Sequence, residues 1–202
     1  MATLTNVKMN LKEINSTVVL NILRMLKRRE MIKNTDKLYS ELEDSISADQ
    51  GIDFSEEGKK FSIYIINGKL TSITSKSPLD DYLNKNLSTK KFVIIRDASK
   101  KTIKQVLKDY ENSEFFFEHE MLEDIPSKLF IPEHKIMSKE DKEEFLKKFK
   151  RENLSQIKST DMMVRYYNGK VGDIVKITRP NITSGYSIFY RVVVKGTVDF
   201  LF

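Results

Sequence analysis

The chain has 202 residues, 40% of them hydrophobic, and a formal net charge of +6, enough apolar material for one large core or two small ones. It has no cysteine, which excludes disulfides and thiolate metal sites, and no apolar run near the roughly 20 residues of a membrane helix. The N-terminus lacks the basic-then-apolar order of a secretory signal, so the expectation is a soluble intracellular protein with no membrane partner.

Asn10 and Glu13 have the spacing of a capping pair, and Leu11, Ile14, Val18, Ile22, Met25 and Leu26 recur at helical intervals, which predicts a long amphipathic helix to about Lys33. Thr35 is placed to cap a second helix bearing Leu38, Leu42 and Ile46 and ending at Asp49-Gln50-Gly51. Phe61 to Ile66 and Leu70 to Ile73 flank Asn67-Gly68, the pattern of a β-hairpin with a primed turn. Ser77-Pro78 opens a helix with Leu79, Tyr82 and Leu83 on one side. The apolar run Phe92-Val93-Ile94-Ile95 predicts a strand covered on both faces. A helix through Ile103, Val106, Leu107 and Tyr110 follows, and then a strand at Phe115 to Phe117. Alternating helices and strands predict an N-terminal α/β domain with a mostly buried sheet over residues 1–124.

Two prolines near residues 124–132 mark a composition shift, and a small C-terminal α/β domain is expected over residues 125–202, giving an α/β (α+β) chain of two domains. There Ser138 and Asp141 form a capping arrangement ahead of Phe145, Leu146 and Phe149, for a helix ending around Arg151. Asp161 is expected to cap a short helix that Gly169 terminates. Asp173 to Thr178 and Ser187 to Lys195 read as paired strands, with Arg179-Pro180 and Gly185 in the connection and Val198 to Phe202 extending a strand or packing on a neighbour.

Little in the residues points to catalysis. His119 and His134 are the only imidazoles and neither has a second ligand at metal spacing, so both read as structural and no metal or cofactor is expected. No serine carries a nucleophile elbow, and Asp80-Asp81 would point apart on a helix. Gly169-Lys170-Val171-Gly172 has the bare form of a nucleic-acid clamp but precedes a strand, which favours a glycine turn. The charge excess lies mostly beyond residue 130, a mildly basic surface suited to polyanions or acidic protein faces, well short of a dedicated DNA binder. Arginine is the minority cation, and Arg165, Arg179 and Arg191 offer planar forks for internal or interface carboxylates and carbonyls; Tyr166 and Tyr190 read as core or interface aromatics.

Asp161, Val164, Arg165, Tyr166, Gly169, Gly172, Val175, Lys176, Ile177, Arg179, Pro180, Thr183, Gly185, Tyr190, Arg191 and Val193 stand in an order and spacing that resembles one family. It is the fifth-largest shared subunit of eukaryotic nuclear RNA polymerases, whose C-terminal half is similar to a smaller archaeal RNA polymerase subunit that lacks the N-terminal domain. Upstream, Ile131-Pro132-Glu133-His134 through Ser138-Lys139-Glu140 is similar to the same family, whereas Met162, Asn181, Ile182 and Ser184 depart from its pattern.

The resemblance implies a non-catalytic subunit of a DNA-directed RNA polymerase, in the nucleus or in a cytoplasmic viral factory and virion, without cofactor. Its C-terminal domain would dock on the largest subunit, with Asp161, Arg165, Tyr166, Gly172, Arg179, Pro180, Thr183, Gly185, Tyr190 and Arg191 as interface residues. Its N-terminal domain would form a jaw beside downstream duplex DNA. There the turn Ser99, Lys100, Lys101, Thr102 would give sequence-independent phosphate contacts, with Lys27-Arg28-Arg29 as the competing basic patch. A stand-alone nucleic-acid-binding adaptor is the alternative from another class, and a diverged small hydrolase a third.

Overall fold

A computed structural model of the chain describes residues 9–47, 49–74, 77–85, 88–110, 113–181 and 183–197, with backbone alone at 107–109. The side chain of Leu107, the departure at Ile182 and the tail 198–202 therefore lie outside the described residues. The chain divides into two compact units, Met1–Glu123 and Asp124–Phe202.

The first unit is built on a four-stranded sheet in the order β1-β2-β3-β4, formed by β1 (Gly51–Glu56), β2 (Lys59–Leu70), β3 (Lys90–Ala98) and β4 (Ser113–Phe117). β1 runs antiparallel to β2, while β2, β3 and β4 are mutually parallel. Helices α3 (Pro78–Asn84) and α4 (Lys100–Asp109) make the crossovers between the parallel strands, and the short helix α5 (Glu118–Met121) follows β4. α1 (Leu11–Arg28) opens with the capping box expected: Glu13 N–H donates to Asn10 Oδ1 at 2.8 Å and Asn10 N–H to Glu13 Oε2 at 2.9 Å. It stops short of Lys33 because Glu30 takes a left-handed conformation at φ 56°. The Glu30 and Met31 amides then close on the carbonyls of Lys27 and Leu26.

Two side chains show which face each helix covers. Arg29 forks onto Glu114 of β4 at 2.9 and 2.7 Å, Lys90 reaches the same carboxylate at 2.9 Å, and both cations lie about 6 Å from the Phe92 ring centre. α1 therefore covers the face bearing Phe61, Ile63, Ile65, Phe92 and Ile94, all 1% exposed or less. Lys91, one residue on, points the opposite way. Its ammonium donates to the carbonyls of Leu83 (2.6 Å) and Lys85 at the end of α3 and lies 5.6 Å from the Tyr82 ring centre. Burial holds this ammonium below its ordinary pKa, with the Asp53 carboxylate pulling the other way. Both faces are covered, and Phe92 to Ile95 are buried as the apolar run predicts.

The second unit has a sheet in the order β5-β7-β8-β6, from β5 (Glu133–Ile136), β6 (Ser155–Lys158), β7 (Ile174–Asn181) and β8 (Gly185–Val194). β5/β7 and β7/β8 are antiparallel and β6/β8 parallel. Val164 of the short helix α7 (Met162–Tyr166) packs with Ile157, Val175, Ile177 and Val193, and Ile136 lies against them. The Phe145 ring of α6 (Lys139–Lys148) packs at a tilt against Tyr190, with ring centres 4.4 Å apart, on the opposite face.

Several expectations need correcting. Asn67-Gly68 makes no hairpin: β2 runs straight through it, and the extra residue is absorbed as a register shift against β3 between Ile66 and Lys69. The hairpin of this sheet lies at Glu57-Gly58, with φ 52° and 78°. The second helix, α2 (Thr35–Leu42), is capped by Asn34, which accepts from the Lys37 amide, while Thr35 is buried. Gly51 starts β1 rather than ending a helix. α6 ends at Lys148, not Arg151. Asn168, not Gly169, takes the left-handed position after α7, at φ 55°. The amides of Asn168 and Gly169 close on the carbonyls of Arg165 and Val164 at 3.0 and 2.8 Å. Finally, Arg179-Pro180 and Gly185 are ladder residues, paired Arg179 with Ser187, Pro180 with Tyr186 and Asn181 with Gly185.

Candidate functional site

The β7–β8 hairpin outruns its neighbours. β5 pairs with β7 only as far as Thr178, and β6 pairs with β8 only from Arg191 onward. Residues 179–181 and 185–190 therefore form a two-stranded ribbon projecting beyond the four-stranded part of the sheet. Its tip is closed by local bonds: the Thr183 amide donates to Asn181 Oδ1 at 2.9 Å, Asn181 Nδ2 to Ser187 Oγ at 2.9 Å, and Gly185 takes φ 74°. Among the described residues of its unit nothing covers the apolar side chains of the ribbon, with Tyr186 70%, Ile188 50% and Phe189 47% exposed. Exposed apolar patches of that kind are characteristic of partner surfaces in general. Strand alternation puts Pro180, Tyr186, Ile188 and Tyr190 on one face and Arg179, Ser187 and Phe189 on the other, with the Arg179 guanidinium 5.4 Å from the Phe189 ring centre.

The residues matched in the family pattern thus split in two. Arg179, Pro180, Thr183 and Gly185 lie on the exposed ribbon, and Tyr190 and Arg191 at its half-buried base. The others lie outside the ribbon. Asp161 caps α7, accepting from the Met163 and Val164 amides at 2.9 and 3.4 Å, and Tyr166 is buried with its ring edge against Tyr167. Arg165 is half-buried on α7. Gly172, at φ 95°, has the Arg151 guanidinium 2.8 Å from where a Cβ would stand. The loop from Gly169 to Gly172 leads into β7 as a turn, its Lys170 amide donating to Asp173 Oδ2 at 2.8 Å. The sequence pattern does not single out the exposed apolar residues Tyr186, Ile188 and Phe189 as interface residues. Their alternation is visible in it, but their position beyond the covered part of the sheet is not.

In the first unit Ser99 caps α4, accepting from the Thr102 amide at 3.2 Å. Lys100 and Lys101 are exposed at the start of the helix. Thr102 differs from the expectation: it is buried, and its hydroxyl donates to the Thr71 carbonyl at 2.5 Å, so it has no proton for an outside ligand. In the competing patch Arg29 is committed to Glu114 and Arg28 is half-buried, while Lys27 is exposed. His134 Nδ1 lies 2.7 Å from the Pro132 carbonyl, and His119 stacks on Phe117 at 5.4 Å, both local structural roles. Among the described residues no group of three His, Cys, Asp or Glu side chains could hold a metal ion, and no helix is long and apolar enough to cross a membrane.

Comparison with known proteins gives the following. The sequence profile of a family described as "RNA polymerase Rpb5, C-terminal domain" matches residues 123–193. The "DNA-directed RNA polymerase subunit 5" of Acanthamoeba polyphaga mimivirus is 31% identical over 141 residues, covering 69% of this chain and 68% of the relative. That span is longer than the second unit, so the likeness reaches into the first. The "DNA-directed RNA polymerase subunit Rpo5" of Archaeoglobus fulgidus is 46% identical over 68 residues, 33% of this chain and 90% of the relative. The "DNA-directed RNA polymerases I, II, and III subunit RPABC1" of Caenorhabditis elegans is 30% identical over 139 residues, 66% of this chain and 65% of the relative.

Proposed function

Because this chain belongs to the family of subunit 5 of multisubunit DNA-directed RNA polymerases, we propose that its second unit is the assembly domain that docks on the largest subunit, and its first unit a jaw domain beside downstream duplex DNA. In this role the chain contributes surface, and nucleotidyl transfer is carried out by the large subunits. The observation that carries the docking half is the projecting ribbon with Tyr186, Ile188 and Phe189 uncovered. Leaving such residues in water costs hydrophobic free energy that a partner recovers on assembly, at roughly 25 cal/mol per Å² of apolar surface buried. The family residues on the ribbon or at its base, Arg179, Pro180, Thr183, Gly185, Tyr190 and Arg191, act in that contact. Asp161, Arg165, Tyr166 and Gly172 support it by holding α7 and the loop before β7. The jaw half rests on Lys100 and Lys101, exposed at the start of α4, where they add positive charge to the helix N-terminus and suit backbone phosphates of any sequence. The expected location is the nucleus, or a viral factory and virion.

The test is co-expression of the full-length chain with the other polymerase subunits, scored by the fraction of the chain that co-purifies with the largest subunit. Phe189→Ala is expected to lower that fraction and Lys100→Ala to leave it unchanged. Wild-type chain that runs alone and binds oligonucleotide by itself would instead establish the adaptor reading.

A further inference from the structure

The two long edges of the projecting ribbon are built differently. The Met137 amide donates to the Ile174 carbonyl, so on β7 the even-numbered residues turn their backbone groups toward the β5 side. Beyond Thr178 the next residue facing that way is Pro180, which has no N–H to offer. The flanking Arg179 makes this edge still less suited to pairing. β8 has no such protection. The Val194 carbonyl accepts from the Ser159 amide on the β6 side, whereas Val193 bonds to Asp173 and Gly172 on the β7 side. By alternation Ile188 and Tyr190 turn their N–H and C=O groups outward, along a stretch where β6 has not yet begun. That stretch, Gly185-Tyr-Ser-Ile-Phe-Tyr190, carries no charge and no proline, so among the described residues it is a bare strand edge.

From this asymmetry we propose that the ribbon docks by strand addition: an extended segment of a partner polymerase subunit pairs with the outer edge of β8 at Ile188 and Tyr190, continuing the sheet from where β6 stops. The inference rests on the docking role proposed above and names the contact it uses. Main-chain bonds supply the pairing, and Tyr186, Ile188 and Tyr190 on one face with Phe189 on the other flank the added strand, selecting apolar residues in alternation. Charge selects the rest. From Ile174 to Thr197 the chain has Lys176, Arg179, Arg191 and Lys195 and no Asp or Glu, so the segment is acidic at its polar positions. A second copy of this chain would bring two cationic ribbons together, which like-charge repulsion opposes.

The test is amide hydrogen exchange on the full-length chain, free and assembled with its polymerase, together with co-purification of Ile188→Pro and Ile188→Ala. Exchange at Ile188 and Tyr190 is expected to slow by about 100-fold on assembly, equivalent to an edge pairing stable by about 2.7 kcal/mol. Ile188→Pro removes an outward N–H and no bond within the ribbon, so the free variant keeps the wild-type circular dichroism melt while its incorporation falls about tenfold or more; Ile188→Ala, which keeps the N–H, falls less. Wild-type incorporation with no added protection at these two amides overturns the strand addition while leaving the docking role intact. Wild-type chain that does not enter the polymerase overturns the docking role itself. Protection produced by self-association in sedimentation velocity, or by adding DNA alone, assigns the edge to a second copy or to nucleic acid and equally overturns the proposal.

Discussion

Glu114 sits where two cations, Arg29 and Lys90, share one carboxylate. Burial alone pushes its pKa up, but the Arg29 fork and Lys90 outweigh burial and hold it below the ordinary value. A lowered carboxyl pKa stabilises the fold fully above the unfolded value of about 4.3, and the stabilisation fades as pH drops through the folded value. Arg29→Ala leaves the carboxylate buried with Lys90 alone and is expected to cost about 3 kcal/mol or more at neutral pH, read from urea melts. The same substitution should shift acid unfolding to higher pH, and parallel pH profiles for variant and wild type would assign the acid sensitivity to other groups. Arg179 behaves differently, because it is exposed and stacked on Phe189. Arg179→Ala should change the stability of the free chain by about 1 kcal/mol or less yet reduce incorporation into the polymerase more than Lys100→Ala does, because an interface desolvates the guanidinium. Equal incorporation of the two variants would make Arg179 an ordinary surface charge.

Elements whose side chains decide their own state are readable from the sequence, and elements decided by a neighbour are not. α1 has its cap and its apolar stripe in one continuous stretch, although its end is set by the left-handed Glu30 that the pattern does not mark, and β3 announces itself as an apolar run. β1, β5 and β6 are edge strands; β1 and β6 bury one side chain each, Ile52 and Ile157, and β5 buries none, so the apolar alternation that marks a strand is nearly absent from them. Asn67-Gly68 has the local chemistry of a turn, but the pairing of β2 with β3 continues on both sides and turns it into a bulge, a tertiary override of a local preference. The real turn uses Glu57, an unusual left-handed residue, ahead of Gly58. The two glycines give a direct comparison. Gly58→Ala forces a Cβ onto a residue at φ 78° and is expected to lower the melting temperature of the first unit by several degrees, corresponding to about 1 kcal/mol or more. Gly68→Ala, with open space around it and no left-handed backbone, should change it little; the opposite ranking would return the hairpin to Asn67-Gly68. On the ribbon, Arg179-Pro180 misleads for a related reason, since proline reads as a breaker unless the strand is known to be an edge.

Each of the two units has its own sheet and its own buried residues, so residues 124–202 alone are expected to give a cooperative thermal transition by circular dichroism; a featureless melt would mean that this unit needs residues 1–123. Division of labour between the units then predicts separable defects. Ribbon variants act on assembly, whereas charge removal at Lys100 and Lys101 leaves the assembled enzyme competent on short scaffolds and weakens its hold on long downstream duplex. The reason is counterion release: each phosphate neutralised by a cation contributes about 0.9 to the slope of log affinity against log salt on duplex DNA. The double substitution Lys100→Ala/Lys101→Ala should therefore flatten that slope by up to about two units, equally for every sequence, because backbone contacts carry no base information. The measurement is binding of purified polymerase to templates with short and long downstream arms over a salt series. A slope that is unchanged on the long template takes this turn out of the DNA path and points to Lys27 on α1, the exposed cation of the other basic patch.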